Sequence, residues 1–280
     1  MAKQGSDTDN RPTVGWVGIG DQGGPMATKV LEAGYSLAVW ARNPDKAQRL
    51  AEAGAKVVGD VVELGQLSQV VELCVLDDVG VEEVLILRGL LRSLAPGSVV
   101  LVHSTVSPTT CIRLASEAAD GGVSLLDAPV SGGGEAARLG KLSVMVGGDL
   151  NAFLRVEPIV RSFGEPVRHV GPVGCAQALK IINNGLFVAN LGNAWNALAL
   201  AERFGVPRDI GKEVLGASSG RSIALKMMDS LILDTEWGRH SRGVLARDVE
   251  LLGQAIADAS IDEASLLLPS VRAAALALLY

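Results

Sequence analysis

The fold is decided near the N-terminus by the stretch Val14-Gly15-Trp16-Val17-Gly18-Ile19-Gly20-Asp21-Gln22-Gly23. A short apolar run leads into a G-x-G-x-x-G turn, and a helical stretch follows, which is the context in which this turn holds a dinucleotide. The glycines permit a tight turn, a close approach to pyrophosphate and packing of helix on strand. We therefore expect the turn Gly18, Ile19, Gly20, Asp21, Gln22 and Gly23 to bind a dinucleotide; the alternative is a plain glycine turn.

The second apolar run ends at Trp40-Ala41-Arg42-Asn43-Pro44. NAD sites usually place an acid here to bond the ribose 2′-hydroxyl, whereas an arginine suits a 2′-phosphate because its fork binds two oxygens. The sequence therefore favours NADP over NAD, with Arg42 and Asn43 at the cofactor. The alternative is an ordinary exposed arginine before a helix.

Short apolar runs alternate with helical patterns up to about His169. Strands are predicted at 14–18, 36–40, 70–76, 98–102, 123–126 and 142–146, and helices at 24–33, 44–53, 79–94 and 108–119. This alternation is typical of an α/β Rossmann fold, a doubly wound parallel sheet covered on both faces.

The pattern becomes entirely helical after Gly171. One long helix without proline is predicted at 176–204, and others at 208–217, 222–232, 243–259 and 263–279. We predict a disordered leader at 1–12, an NADP-binding Rossmann domain at 13–172 and an all-α C-terminal domain at 173–280, joined by the long helix.

Composition argues against several classes of protein. The formal net charge is −6 and Lys and Arg form no cluster, which disfavours a nucleic-acid partner. The N-terminus lacks the apolar stretch of a signal peptide and no apolar run reaches the ~20 residues of a membrane span, so we expect no membrane partner and a cytoplasmic location. Cys74, Cys111 and Cys175 show no metal-ligand spacing, so we expect no metal.

Three further segments carry a resemblance to a known family. They are Gly24-Pro25-Met26-Ala27; Asp127-Ala128-Pro129-Val130-Ser131-Gly132-Gly133 with Gly140, Leu142 and Met145-Val146-Gly147-Gly148; and Gly171-Pro172-Val173-Gly174 with Gln177, Lys180 and Asn183-Asn184. From Val14 to the C-terminus the chain resembles the β-hydroxyacid dehydrogenases, which include 3-hydroxyisobutyrate dehydrogenases and the tartronate and glyoxylate/succinate semialdehyde reductases. The resemblance implies an enzyme acting on a small carboxylate-bearing substrate.

Ser131, Gly132 and Gly133 fit the substrate carboxylate. They place a hydroxyl beside two residues whose backbone N–H groups are not covered by side chains. The resemblance implies that these residues bind the substrate and that Ser131 also serves the reaction. The alternative is a glycine-rich surface loop.

Lys180 fits a general acid and base. It is followed by two isoleucines, and an apolar setting disfavours its charged form. Such a lysine can give a proton to a carbonyl oxygen as hydride arrives and take it back in reverse. Asn184 lies one helical turn on and can bond the lysine or the substrate. The alternative is a lysine whose charged end reaches the solvent from an amphipathic helix.

The resemblance implies further cofactor contacts at Thr105, next to Ser104, at Leu76 and at Arg247. The alternatives are a helix cap before Pro108 and core packing of Leu76. The chain departs from the family in having Arg247-Asp248 for Lys-Asp, Ala176 for Gly and His103 for Asp, and residues 235–240 fit no pattern. These departures leave the substrate's identity open.

We therefore expect an NADP-dependent oxidoreductase that interconverts a small β-hydroxy acid and its carbonyl or semialdehyde partner. An imine reductase or reductive aminase on the same scaffold is one alternative and a non-catalytic dinucleotide-binding module is another, although Lys180 argues against both. A sugar-phosphate decarboxylating dehydrogenase is disfavoured because such enzymes carry a much larger helical domain. A homodimer or homotetramer is expected because the helical domain carries apolar residues on several faces, unless they only form its own core: Leu198, Leu200, Leu251, Leu252, Leu266, Leu267 and Leu268.

Overall fold

The computed structural model describes residues 11–232, 235–261 and 267–279. The chain divides into two compact units, Met1–Lys180 and Ile181–Tyr280. Most of the predicted leader lies outside the described residues, but Arg11 donates a hydrogen bond of 2.7 Å to the carbonyl of Ala33. The predicted domain boundary at 172 and 173 stays a prediction.

The first unit is built on a nine-stranded sheet. Its strands are β1 Val14–Val17, β2 Leu37–Trp40, β3 Lys56–Val57, β4 Val70–Leu73, β5 Val99–Val102, β6 Ser124–Asp127, β7 Val130–Ser131, β8 Leu142–Gly147 and β9 Gly164–Gly171. The order is β3-β2-β1-β4-β5-β6-β8-β7, with β9 beside β8. The strands from β3 to β6 pair in parallel, whereas β8 is antiparallel to β6 and β7 and parallel to β9.

Helices connect these strands. They are α1 Gly23–Glu32, α2 Gln48–Glu52 after a 3-10 turn at Pro44–Ala47, α3 Val61–Leu67, α4 Asp78–Glu82 followed by a π-helical segment at Glu83–Leu87, α5 Leu90–Ser93, α6 Pro108–Asp120, α7 Gly133–Arg138, α8 Leu150–Val160 and the long α9 Cys175–Arg203.

Two hydrophobic cores cover the two faces of the sheet. One includes Trp16, Met26 and Phe163, and the other includes Val17, Leu64 and Leu114. Every residue of β1, β2, β4 and β5 is buried, because helices cover both faces and both sets of side chains face a core. The predicted Rossmann fold with an all-helical C-terminal region is confirmed.

Several details differ from the prediction. The single helix expected at 79–94 is broken, because Gly89 has a φ of 81° between the π-helical segment and α5. The sheet is not parallel throughout, since β8 runs against β6. The run expected at 70–76 ends as a strand at Leu73. The structure also contains elements that the sequence did not predict: β3, β7, β9, α3, α7 and α8.

The second unit continues α9 and adds α10 Arg208–Ala217, α11 Ile223–Ile232, α12 Glu236–Asp258 and α13 Leu268–Leu278. The predicted start of α12 at 243 is wrong: the helix begins at Glu236, because the Thr235 hydroxyl accepts a hydrogen bond of 3.0 Å from the backbone N–H of Gly238. The start of the helix expected at 263 lies outside the described residues.

The leucines singled out in the helical region differ in their burial. Leu198, Leu252 and Leu268 are buried in the unit's own cores, whereas Leu200 is 56% exposed. Leu251 and Leu267 pack partly buried against one of these cores, and Leu266 lies outside the described residues. Among the helices that the structure describes, none has the length and apolar character required to cross a bilayer.

Candidate active site

The glycine turn follows β1 and has the shape that the sequence predicts. Gly18 has a φ of 94°, and a Cβ there would lie 2.0 Å from the carbonyl oxygen of Cys74. A Cβ at Gly23 would lie 2.1 Å from the carbonyl oxygen of Gly18, so this glycine lets α1 begin against the turn. A Cβ at Gly20 would meet no atom within 4 Å. The turn is therefore tightly packed at its ends and open at its centre, where backbone can approach a ligand.

The start of α1 suits an anion. Gln22 occupies the N-cap without a side-chain cap hydrogen bond, and the first turn contains no acid. A helix N-terminus of this kind presents N–H groups and a partial positive charge. The residues present therefore fit the pyrophosphate of a dinucleotide. Ile19 is half-buried and packs against a core.

Asp21 faces the helix α7. Its carboxylate pairs with the guanidinium of Arg138 at 3.3 Å. A Cβ at Gly134 would lie 2.3 Å from Oδ2 of Asp21, so the missing side chain makes room for the acid. The glycine turn and the start of α7 are therefore in direct contact.

Arg42 and Asn43 follow β2, the strand next to β1. Arg42 is exposed and donates to Glu83 at 3.0 Å. The Asn43 side chain caps the following 3-10 turn by accepting from the backbone N–H of Asp45 at 3.0 Å. Arg42 lines a cavity of about 460 Å³, and Asn43 has a structural role in holding the adjoining turn.

The residues after β4 and β5 lie at the same edge of the sheet as the glycine turn, because parallel strands end on the same side. Leu76 is 64% exposed, so core packing does not explain it. The Ser104 hydroxyl accepts from the backbone N–H of Val75 at 3.0 Å, and Ser107, not Ser104, is the N-cap of α6. Thr105 is half-buried beside it.

Asp127, the last residue of β6, anchors the start of α9. Its two carboxylate oxygens accept from the backbone N–H groups of Gly174 at 2.9 Å and Gln177 at 2.8 Å. Burial raises the pKa of Asp127, while these backbone hydrogen bonds act in the opposite direction. Asp127 belongs to one of the segments that carry the family resemblance, but its role as an anchor was not predicted, although an acid that ends a buried strand is a recognisable signal.

Gln177 continues this anchor. Its side-chain oxygen accepts from the backbone N–H of Val106 at 3.1 Å, and its side-chain nitrogen donates to the carbonyl of Ser104 at 2.8 Å. The side chain is fully buried. The first turn of α9 is therefore fixed to the end of β6 and to the segment that follows β5.

Ser131 ends β7 and is half-buried opposite Ser143 of β8. Gly132 has a φ of 134°, and a Cβ there would lie 2.6 Å from Cβ of Ala136. A Cβ at Gly133 would meet nothing within 4 Å. The loop is thus packed at Gly132 and open at Gly133, an arrangement that leaves backbone N–H groups accessible to an anion.

Lys180 lies on α9 three residues after Gln177, and residues at this spacing share a helix face. It is 9% exposed, an unusual burial for a lysine. The predicted catalytic lysine is therefore held on the face of α9 that Gln177 bonds to the sheet edge, rather than on an exposed face.

Asn184 and Arg247 lie in the second unit around Asp248. Asn184 donates to the Asp248 carboxylate at 2.6 Å, and Arg247 approaches the same carboxylate at 3.4 Å. Asp248 is 1% exposed. The Arg-Asp pair that departs from the family pattern thus forms a polar cluster with Asn184.

The other two departures are buried. Ala176 is fully buried in the first turn of α9. His103 bonds the carbonyl of Ala128 through Nδ1 and the carboxylate of Glu72 through Nε2, and its ring stacks on Trp16. His103 therefore links the buried parts of neighbouring strands through its hydrogen bonds to Glu72 and Ala128.

Comparisons with known proteins identify the family. Residues 13–171 match the family described as the NAD-binding domain of 6-phosphogluconate dehydrogenase, and residues 174–274 match the NAD-binding domain of NADP-dependent 3-hydroxyisobutyrate dehydrogenase. The fold and the matches define an NAD(P)-dependent dehydrogenase that acts on a CH–OH group. The chain belongs to the β-hydroxyacid dehydrogenase family.

Individual relatives are similar over most of their length. The NAD-dependent L-serine dehydrogenase of Pseudomonas aeruginosa is 34% identical over 224 residues, which cover 76% of this chain and 72% of that one. The structure of Psf3 in complex with NADP⁺ and 2-OPP has a TM-score of 0.79 and 28% identity, and covers 95% of this chain and 92% of that chain. The 3-hydroxyisobutyrate dehydrogenase of Mycobacterium tuberculosis with L-serine shares the fold, with a TM-score of 0.82, 24% identity and coverage of 95% and 91%.

Proposed function

We propose that this chain is an NADP-dependent oxidoreductase that interconverts a small β-hydroxy acid and its carbonyl or semialdehyde partner, with Lys180 as the general acid and base. The observation that carries the proposal is the burial of Lys180 on the same helix face as Gln177, whose side chain is bonded to the segments after β5. That edge of the sheet also carries the glycine turn.

The predicted catalytic and substrate-binding residues each have a role in this proposal. The Ser131 hydroxyl and the backbone N–H groups of Gly132 and Gly133 bind the substrate carboxylate. When bound, the nicotinamide supplies hydride transfer. In oxidation the substrate carbon gives up a hydride, Nζ of Lys180 takes the hydroxyl proton, and the O–H electrons form the carbonyl bond; reduction returns the proton from Lys180. Asn184, one turn along α9, orients this end of the substrate.

Preference for NADP rests on the residues after β2. NAD sites of this fold usually have an acid in the region where this chain has Ala41, and the next residue, Arg42, lines a cavity. A guanidinium there attracts a 2′-phosphate and gives no advantage to a 2′-hydroxyl. We therefore place Arg42 at the adenosine end of the cofactor, with Leu76, Thr105 and Arg247 as further contacts.

A substrate screen tests the reaction. Oxidation of NADPH and of NADH is followed with glyoxylate, succinate semialdehyde, methylmalonate semialdehyde and tartronate semialdehyde, with a cyclic imine in parallel. We expect turnover of one or more of the carbonyl acids and faster turnover with NADPH. Turnover of the imine alone would identify the alternative function, and equal or faster rates with NADH would overturn the preference assigned to Arg42.

Replacement of the lysine tests the mechanism. Lys180→Ala should lower kcat by about 10²–10⁴-fold, the range for loss of a general acid, while binding of NADP⁺ is retained. Lys141→Ala removes an exposed lysine and serves as the matched control. A Lys180→Ala enzyme with the kcat of the Lys141→Ala enzyme would show that the proton moves elsewhere.

We further propose a homodimer or homotetramer in the cytoplasm. Leu200 and Phe204, near the end of α9, are 56% and 80% exposed. The backbone N–H of Phe204 donates to the carbonyl of Leu200 at 3.2 Å, so the two residues lie one helical turn apart, and adjacent exposed apolar side chains mark a surface that can meet another subunit. Light scattering of the purified protein measures the mass directly, and Phe204→Glu should shift it toward the monomer. A monomeric wild-type protein would contradict the proposal.

A further inference from the structure

A cavity of about 460 Å³ opens at the end of β2. It is lined by residues after β2, residues around the start of α3 and one arginine from the segment after α4: Trp40, Ala41, Arg42, Pro44, Gly59, Asp60, Val61, Val62 and Arg88. Trp40 pairs with Val17 in the parallel register of β2 and β1. The cavity is therefore one strand, about 5 Å, from the start of the glycine turn.

Two guanidinium groups stand at this cavity and share one carboxylate. Arg42 donates to one oxygen of Glu83 at 3.0 Å, and Arg88 donates to the other through Nε at 2.8 Å and Nη2 at 2.7 Å. The three side chains therefore carry a formal charge of +1. Hydrogen bonding from Arg88 is the main reason that the pKa of Glu83 lies below its usual value, with the charge of Arg42 adding to it.

Arg88 is also supported by an aromatic ring. Its guanidinium carbon lies 5.2 Å from the ring centroid of Trp40, within the range of a cation–π contact. Trp40 is 8% exposed, so it offers a fixed surface. Asp60, the one acid among the lining residues, accepts from the backbone N–H of Glu63 at 2.8 Å as the N-cap of α3.

We propose that Arg88 is a second phosphate-binding arginine, which acts with Arg42 to bind the 2′-phosphate of the cofactor's adenosine half. The inference rests on the proposed function, because it takes a dinucleotide on the glycine turn as given. A 2′-phosphate monoester is a dianion with three terminal oxygens. The net positive charge of the three side chains attracts it, and each guanidinium fork can donate to two of its oxygens. Before the cofactor binds, Trp40 and Glu83 hold Arg88 in position. When the cofactor binds, a phosphate oxygen replaces Glu83 as an acceptor for the arginines.

Calorimetry with two adenosine fragments tests the inference without any turnover. The full-length protein is titrated with adenosine 2′,5′-bisphosphate and with adenosine 5′-monophosphate, which differ only in the 2′-phosphate. Arg88→Gln should weaken binding of the bisphosphate by about 10–100-fold, which corresponds to the loss of hydrogen bonds between charged groups. Binding of the monophosphate should change by less than about threefold. Arg88→Lys keeps the positive charge but loses the forked guanidinium, so its affinity for the bisphosphate should lie between those of the wild-type protein and Arg88→Gln.

Arg92→Gln is the matched control, because Arg92 is an exposed arginine on α5 that does not line the cavity. It should bind both fragments like the wild-type protein. Arg42→Gln with Arg88→Gln should remove the preference for the bisphosphate. Thermal unfolding reports whether each variant is folded. If Arg88→Gln does not fold, the affinity of Arg88→Lys for the bisphosphate tests the inference in its place.

Three outcomes overturn the inference. Equal binding of the two fragments by the wild-type protein removes the phosphate site altogether. If Arg88→Gln binds the bisphosphate as tightly as the wild-type protein does, Arg42 binds the 2′-phosphate alone. If Arg88→Gln binds both fragments more weakly by the same factor, Arg88 contacts the adenine instead of the 2′-phosphate. Each of these leaves the Lys180 reaction standing, whereas loss of turnover with every carbonyl acid would refute that reaction and leave the fragment titrations intact.

Discussion

Asp127 at the end of β6 accepts a hydrogen bond of 2.8 Å from the backbone N–H of Gln177 in the first turn of α9. Since Lys180 follows Gln177 by three residues on that helix, this bond contributes to the position of the lysine. A buried acid at the N-terminus of a helix satisfies N–H groups that have no partner within the helix. Asp127 is therefore a positioning residue for Lys180.

Replacing this acid should lower both stability and turnover. Asp127→Ala leaves two buried N–H groups without an acceptor, and each such loss costs about 1–3 kcal/mol. We expect a loss of about 2–4 kcal/mol in denaturant unfolding. Asp120→Ala, at an exposed acid that ends α6, is the control. If the two variants unfold at the same denaturant concentration, Asp127 does not anchor α9.

The glycine turn predicts a clear division between folding and binding. Gly18→Ala places a methyl group 2.0 Å from a backbone oxygen at a φ of 94°, and should cost about 3 kcal/mol or more. The methyl group of Gly20→Ala meets no protein atom within 4 Å, so this variant should unfold like the wild-type protein. Its binding of NADP⁺ should be weaker by about tenfold or more. Chemical denaturation and calorimetry measure the two effects. Unimpaired binding by Gly20→Ala would place the pyrophosphate elsewhere.

The buried pair of Glu72 and His103 should show strong coupling. Both side chains are fully buried, and Oε1 of Glu72 has no hydrogen-bond partner among the residues that the structure describes. Removing one member of a buried pair costs about 3–5 kcal/mol, whereas replacing both with apolar residues is often neutral. His103→Phe and Glu72→Leu should each destabilise the protein, and the double variant should recover most of the loss.

A double-mutant cycle in urea measures this coupling. Phenylalanine suits position 103 because the imidazole already packs on the rings of Trp16 and Phe163. Additive losses in the double variant would mean that the two side chains stabilise the sheet independently of each other.

Cys74 should make stability depend on alkaline pH. Burial, together with the nearby charge of Glu72, raises the pKa of its thiol to about 12. In the unfolded chain the thiol ionises near pH 8.5, so the unfolded state loses its proton first. The stability that the group contributes is complete below about pH 8.5 and is lost as the pH rises toward 12.

The comparison with Cys74→Ala isolates this effect. Between pH 8 and pH 10 the wild-type protein should lose about 1–2 kcal/mol more than the variant, since one pKa unit corresponds to about 1.4 kcal/mol. Cys175→Ala removes an exposed cysteine and should follow the wild-type curve. Parallel curves for wild-type and Cys74→Ala would show that the thiol ionises normally in the folded protein.

The parts of the fold that the sequence predicted are those with the strongest local signals. The central strands are continuous apolar runs because both faces are buried, and α9 is a long stretch without proline. The edge strand β3 has two exposed residues, and β9 mixes Glu165, Arg168 and His169 with its apolar residues. Helix α8 contains Pro158, a residue type that disfavours the interior of a helix. These elements depend on packing that no local pattern records.

The site divides in the same way. The glycine turn and the Ser131 and Lys180 segments were visible because each is contiguous in sequence. The antiparallel direction of β8 and the meeting of Arg42 with Arg88 depend on contacts between distant segments. A single sequence holds no signal for Arg88, because its neighbours in space, Glu83 and Trp40, make it notable only once the chain has folded.

The missing side chain at Gly134 couples two loops of the first unit. An added methyl group would overlap the carboxylate of Asp21, the exposed end of a side chain that would have to turn away and give up its position beside Arg138. Because Asp21 belongs to the glycine turn and Gly134 follows the Ser131 loop, attempts to redesign the two loops separately will interfere with each other, and libraries should vary positions 21 and 134 together.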